Sequence, residues 1–236
     1  MRILAVESSA RTVSVAIIDD SRLLSEFYTN TGLTHSQTLM PIIKAALDCA
    51  KIDLSSIDSF AVANGPGSYT GIRIGVSAVK GLAHSLNKPC VGVSTLAALS
   101  YNLAGQNCIA CCVMDARCGQ VYTALFECLD GTVKRITEDN AMMISDLEVQ
   151  LSALEYDLPI VLVGDGSEMC YIILRTKMNK IFLASENLRF QRASSVAMFS
   201  MIHDGEIPKT SANDLTSVYL RAPQAERELR KRNEEK

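Results

Sequence analysis

Apolar residues in this chain fall into short, compact or alternating runs that read as strands, and longer arcs recurring every three or four residues that read as helices. Residues 2–8, Arg-Ile-Leu-Ala-Val-Glu-Ser, make a buried strand. Residues 8–11 turn, and 12–18 return with Val13, Val15 and Ile17 on one face. A second turn at 19–21 leads to a third strand over 23–28. Leu39, Ile42, Ile43, Ala46, Leu47 and Ala50 then form a helical arc. Thr34 and Gln37 before it have capping-box spacing. Pro41 lies within two turns of the helix start, where its cost is reduced. Residues 60–63 are a strand, 65–71 a glycine-rich loop, 70–85 a helix and 90–93 a strand. Ser94 caps a helix running to about 104.

The series then restarts. Residues 108–115 form an apolar strand ending in Asp115, 116–119 turn, and 121–126 return. Asp130-Gly131 is a hairpin signal, followed by a strand over 133–136. Ser145 is placed to cap a helix through 154. A strand over 160–163, a turn over 164–167, a helix over 168–175, a strand over 181–183 and a helix over 194–201 complete the half. Each half therefore reads hairpin, strand, helix, strand, helix, strand, helix. The junction near Gly105-Gln106-Asn107 sets the expected boundaries: an N-terminal lobe over 1–105, a C-terminal lobe over 106–225, and a charged, frayed tail over 226–236.

Composition narrows the function classes. A chain of 236 residues with 48% hydrophobic and 21% charged residues suits two small globular units. A net charge of −3 lacks the basic bias of a protein that binds nucleic acid unaided. No apolar run reaches the ~20 residues of a membrane span. Glu7 interrupts the opening run, against a signal peptide. The expected location is the cytoplasm. Of eight cysteines, Cys108 and Cys111 have Cys-x-x-Cys spacing. A strand points residues three apart to opposite faces, and no second pair completes a zinc site. The expectation is reduced, buried thiols.

The chemistry-bearing candidates gather around the glycine loop. Gly65 and Gly67 flank Pro66, which suits a tight turn, and a helix N-terminus after such a turn attracts anions. The loop lacks the lysine and spacing of a phosphate loop. Gly65, Gly67, Ser68 and Glu7 are the candidates for lying near a nucleotide. Glu7 and Asp115 end equivalent strands. Such acids across a cleft suit a hydrated magnesium ion, or each orders its own turn. No metal residues are expected, because His35, His84 and His203 share no ligand motif. No catalytic residues are assigned, and no Gly-x-Ser-x-Gly elbow occurs.

The helix over 70–85 carries one apolar face (Ile72, Val76, Val79, Ala83, Leu86) and a neighbouring small-residue stripe (Gly71, Gly75, Ala78, Leu82, Ser85). Interior helical glycines cost about 0.5–1 kcal/mol each relative to alanine. Close approach of another helix offsets that cost, either within the chain or from another subunit. The candidate partner interface is His35, Leu39, Ile42, Ile43, Ala46, Gly71, Ile72, Arg73, Gly75, Val76, Ala78, Val79 and Leu82. If the Val79 stripe faces outward, Val79→Glu or Gly75→Leu abolishes association and leaves the monomer soluble.

The run Gly65-Pro66-Gly67-Ser68-Tyr69-Thr70-Gly71-Ile72-Arg73-Ile74-Gly75, with Lys80-Gly81-Leu82-Ala83 after it, resembles the hallmark of the bacterial TsaB (YeaZ) family. Ile3 to Ser9 looks like its opening strand, with Glu7 where an Asp is common. His35-Ser36-Gln37-Thr38-Leu39-Met40-Pro41 is similar to its first-helix motif. Asp115 to Tyr122 resembles its second hairpin, and Pro208 with Tyr219-Leu220-Arg221 its closing segment. The resemblance implies an α/β actin-like ATPase fold (ASKHA, ribonuclease H-like), with two duplicated lobes of mixed sheets flanked by helices. It implies a non-catalytic subunit that pairs with TsaD, and with the ATPase TsaE, to make N6-threonylcarbamoyladenosine at position 37 of tRNAs reading ANN codons. ATP and magnesium would then act at the level of the complex, tRNA would be met through the complex, and self-association would use the same helices. The family's catalytic paralogue binds metal through His-x-x-x-His, which this sequence lacks. The alternative is an active nucleotide-dependent transferase or metallopeptidase-like enzyme of the same fold.

Overall fold

The computed structural model describes residues 1–155 and 157–221. The expected tail over 226–236 lies outside the described residues. The first half runs β1 (Arg2–Glu7), β2 (Val13–Asp19), β3 (Arg22–Thr29), α1 (His35–Ala50), β4 (Ser59–Gly65), α2 (Tyr69–Leu86), β5 (Cys90–Ser94) and α3 (Thr95–Ser100). The second runs β6 (Cys108–Asp115), β7 (Gln120–Leu129), β8 (Thr132–Arg135), β9 (Asn140–Met143), α4 (Ile144–Ser152), β10 (Ile160–Val163), α5 (Ser167–Leu174), β11 (Ile181–Leu183), α6 (Glu186–Arg189) and α7 (Ala193–Ile202).

The two sheets share one plan. The first has the order β3-β2-β1-β4-β5 and the second β11-β10-β6-β7-β8, which is the same order read from the other edge. In each, a hairpin pairs antiparallel (β1 with β2, β6 with β7) and the first strand pairs parallel with the strand after the first helix. The duplicated, mixed-sheet actin-like ATPase architecture implied by the resemblance is therefore present in the topology itself.

Buried central strands read as nearly continuous apolar runs because both of their faces are covered. Leu4, Val6 and Phe60 face α1 and α2, whereas Ile3, Ala5 and Ala61 face α7. In the second sheet Ile109, Cys111 and Val113 face α4 and α5, and Cys108, Ala110 and Cys112 face α3. The helices α3 and α7 pack on each other between the sheets. Thus α7, from the second half of the sequence, completes the first lobe, and α3, from the first half, completes the second.

Several local expectations change. Thr34 is the N-cap of α1, but its side chain makes no capping bond and the Gln37 amide bonds to the Thr34 carbonyl instead. Ser145 caps nothing: β9 runs straight into α4, and Met143 is the extended residue before the helix. The helix after Ser94 ends at Ser100 and continues as a short 3-10 turn over Tyr101–Leu103. Ser94 does cap α3, accepting from the Ala97 amide at 3.1 Å. The Asp130-Gly131 hairpin forms with both residues at positive φ, 51° and 79°, as a two-residue primed turn requires. No helix among the described residues is long and apolar enough to cross a membrane.

Candidate functional site

The turn between β1 and β2 is the point on which the glycine loop is built. Ser8 Oγ donates to the Gly71 carbonyl at 2.9 Å, and the Ser68 amide donates to the Ser9 carbonyl at 2.6 Å. His35, at the start of α1, donates from Nε2 to the Ala10 carbonyl at 2.8 Å. Its Nδ1 is buried and has no partner. Ser68 is also the N-cap of α2, accepting from the Gly71 amide at 3.2 Å. A Cβ on Gly67, Gly71 or Gly75 would overlap the Ser9 carbonyl, the Ser8 carbonyl or the Ser8 hydroxyl, respectively. These glycines exist so that α2 can lie against its own chain's turn. Of the two expected reasons for Gly71 and Gly75, packing within the chain is the one these contacts supply. Gly65 has the same kind of reason: a Cβ there would overlap the Val218 carbonyl.

The helical residues proposed as a partner face divide the same way. Leu39, Ile42, Ile43 and Ala46 of α1, and Ile72, Val76 and Val79 of α2, are buried in the first lobe's own core with Leu4, Val6 and Phe60. Their side chains are taken up by that core. The inward stripe of α2 is the Val79 stripe, so Val79→Glu and Gly75→Leu are expected to disturb the lobe itself. Ala78 and Leu82 are half-buried at the edge of that core, and Arg73 is exposed. Met40 is 50% exposed on α1, and Gly81 is exposed on α2 with no atom near the position of an added Cβ.

A cleft of about 710 Å³ separates the lobes. Its walls include Ser9, Arg11, Ser68, Asp115, Arg117 and Asp165. Glu7 lies beneath it, buried, with one oxygen accepting from the Ser9 amide and hydroxyl, both at 2.6 Å. Burial pushes its carboxyl up to about 7, against the pull of the two Ser9 bonds and with a smaller push from Asp165. Asp165, on the turn before α5, is likewise raised by burial and accepts from Gln191 Nε2 at 3.1 Å. Asp115 orders its own turn, accepting from the Arg117 amide at 2.7 Å and pairing with the Arg117 guanidinium at 3.1 Å. Sequence reasoning found Glu7 and Asp115 and missed Asp165. Its signal was the Gly164-Asp165-Gly166 turn after the strand equivalent to β4.

Part of the polar lining of the cleft is already engaged within the chain. The Ser68 amide is spent on Ser9 and the Gly71 amide on Ser68. Both carboxylates expected to face a cation are engaged with their own turns. Among the described residues, no group of three His, Cys, Asp or Glu side chains is arranged to hold a metal.

The segment after α7 crosses the cleft mouth. The Val218 amide donates to the Asn64 carbonyl at 2.7 Å, and Arg73 Nε donates to the Tyr219 hydroxyl at 3.0 Å. The Arg73 guanidinium sits 3.9 Å from the Tyr69 ring centre, and the Tyr69 and Tyr219 rings are 5.0 Å apart. Arg221 then reaches the second lobe, donating to the Ala116 carbonyl at 2.7 Å.

Residues 29–220 match the family model described as TsaD: tRNA N6-adenosine threonylcarbamoyltransferase. The tRNA threonylcarbamoyladenosine biosynthesis protein TsaB of Bacillus subtilis is 32% identical over 230 residues, covering 96% of each chain. The solved structure of YeaZ from Pseudomonas aeruginosa superposes with a TM-score of 0.77 at 26% identity, covering 93% of this chain and 99% of that one. The ethanolamine utilization protein EutJ of Carboxydothermus hydrogenoformans, at 11% identity and a TM-score of 0.56 over 84% of this chain and 90% of its own, shares the fold alone. With a relative matched along nearly its whole length and both lobes superposed on YeaZ, the chain belongs to the TsaB (YeaZ) family of tRNA threonylcarbamoyladenosine biosynthesis proteins.

Proposed function

We propose that this chain is a non-catalytic scaffold subunit for N6-threonylcarbamoyladenosine formation at A37 of tRNAs reading ANN codons. It docks a TsaD-type transferase in the cytoplasm, with a TsaE-type ATPase joining the assembly. tRNA is met through that assembly. ATP and magnesium act at the level of the complex. The docking face is the outer edge of α1 and α2: Met40, Ile74, Ala78, Gly81 and Leu82. A second copy of the chain would use the same edge when the partner is absent.

The observation that carries this reading is Gly81. Gly71 and Gly75 are explained by the turn they touch, but Gly81 lies mid-helix, exposed and facing open space. A glycine there costs about 0.5–1 kcal/mol relative to alanine, and a helix from another subunit passing close by offsets it. A stable interface buries roughly 1,200–2,000 Å², which two helices and their flanks can supply. The Ser68 and Gly71 amides of the glycine loop are taken up by Ser9 and Ser68, which supports a structural role for the loop.

Gly81→Glu and Ala78→Arg leave the protein folded and remove co-elution with TsaD from the same cell in size exclusion. Co-elution of both folded variants at wild-type level overturns the docking face. Turnover of ATP with magnesium by the isolated chain overturns the non-catalytic reading in favour of an enzyme.

A further inference from the structure

The Cys-x-x-Cys spacing of Cys108 and Cys111 does not make a pair, because the two thiols lie on opposite faces of β6. Cys108 faces the α3 layer and Cys111 the α4 and α5 layer. The register of the sheet gives Cys108 a different neighbour. It stands directly opposite Cys128 on β7, and both side chains enter the same apolar layer. Opposed Cα atoms on antiparallel strands are about 4.5–5.5 Å apart, within the roughly 4.4–6.8 Å that a disulfide spans. The Cys128 thiol also lies 3.8 Å from the Ser100 carbonyl at the end of α3.

We propose that Cys108 and Cys128 are a redox-active dithiol that closes to a cross-strand disulfide by exchange with a low-molecular-weight disulfide. The register sets the two thiols side by side in one apolar layer. Each acts on the other: the neighbouring Cys128 draws the Cys108 thiol below its ordinary range, while Cys108 and burial push the Cys128 thiol up. The Cys128 thiol is directed to the Ser100 carbonyl, which leaves Cys108 as the attacking sulfur. Its thiolate attacks one sulfur of the reagent, the reagent's S–S bond breaks, and one thiolate leaves. Cys128 then gives its proton to that thiolate and attacks the Cys108 sulfur, expelling the second thiolate, which takes up from solvent the proton that Cys108 released on ionising. The net change is one protein dithiol and one small disulfide to one protein disulfide and two small thiols.

Both cysteines are buried, but they sit at the rim of the lobe. Gln106, Asn107, Leu129, Asp130 and Gly131 beside them are exposed. The rim is closed by two hydrogen bonds between Asn107 and Asp130, at 3.0 and 3.4 Å. Fraying of this one turn admits the reagent without opening the core. Cys111 and Cys112 lie deeper along β6, and burial raises both thiols.

The test uses the full chain with the two exposed cysteines replaced, Cys49→Ser and Cys118→Ser. The folded protein is incubated with oxidised glutathione, its free thiols are alkylated, and its peptides are mapped by mass spectrometry. The expected result is the loss of two free thiols without retained glutathione, one peptide pair joined through Cys108 and Cys128, and reversal by dithiothreitol. Adding Cys128→Ala should leave Cys108 as a glutathione adduct. The proposal is overturned if both thiols stay free while circular dichroism remains native. Linkage between Cys111 and Cys170 in their place overturns it equally.

Discussion

Ser8 and Gly71 meet across 63 residues of sequence, the Ser8 hydroxyl bonded to the Gly71 carbonyl at 2.9 Å, with no space for a Cβ between the helix and the turn. The contact seats α2 on the first lobe and fixes which face of the helix turns outward. Four predictions extend from this seat to the cleft beside it.

Replacing Gly71 or Gly75 by alanine forces a methyl group into the Ser8 backbone or hydroxyl. Each change should destabilise the isolated protein by about 1–3 kcal/mol, as overpacking does. Gly81→Ala, in open space, should stabilise it by about 0.5–1 kcal/mol. Urea denaturation of the three variants checks the contrast in sign. Equal effects at all three positions would show that α2 is not seated on the turn.

Val79→Glu places a carboxylate where Val79 is fully buried. The cost should exceed about 4 kcal/mol, and the protein should express as insoluble or unfolded chain. A native circular dichroism spectrum for this variant would contradict the inward assignment of the stripe.

Glu7 keeps its proton to about pH 7 in the folded protein, against an ordinary value of 4.5. Between those values the folded state binds more protons than the unfolded one, so stability falls as pH rises through the window. The loss is on the order of 3 kcal/mol once Glu7 is ionised. The raised Asp165 adds to it with the same sign. Glu7→Gln keeps an acceptor for Ser9 and removes the charge. It should flatten the profile between pH 5 and 8 and raise stability at pH 8. Unchanged slopes in urea melts across that range would rule out Glu7 as the source.

Arg221→Ala removes the bond to the Ala116 carbonyl and frees the segment that crosses the cleft mouth. The global cost should be small, about 1 kcal/mol. The Val218 amide, bonded to Asn64, should exchange with solvent several-fold faster while β4 itself is unaffected. Hydrogen exchange measured by mass spectrometry distinguishes this local loosening from global destabilisation.

The sequence by itself determined the order of the main elements, their repetition in two halves, and the family; the short β9 and α6 were not legible in it. Strand and helix periods are local properties, so they survive being read one segment at a time. The buried runs at Ile3–Val6 and Ile109–Val113, the Asp130-Gly131 turn and the Ser94 cap needed only neighbouring residues. Three matters required the tertiary structure. The stripe containing Val79 and that containing Ala78 are both apolar enough to be buried, and only the position of the first sheet assigns one to the core. Gly71, Gly75 and Gly81 look alike in the chain, yet two are packed against a turn some 63 residues away and one faces open space. Asp165 joins Glu7 and Asp115, and Cys128 rather than Cys111 joins Cys108, through lobe packing and strand register. Contacts between segments distant in sequence carry no periodic signal, because a pattern reports which face of an element is apolar but not what that face touches.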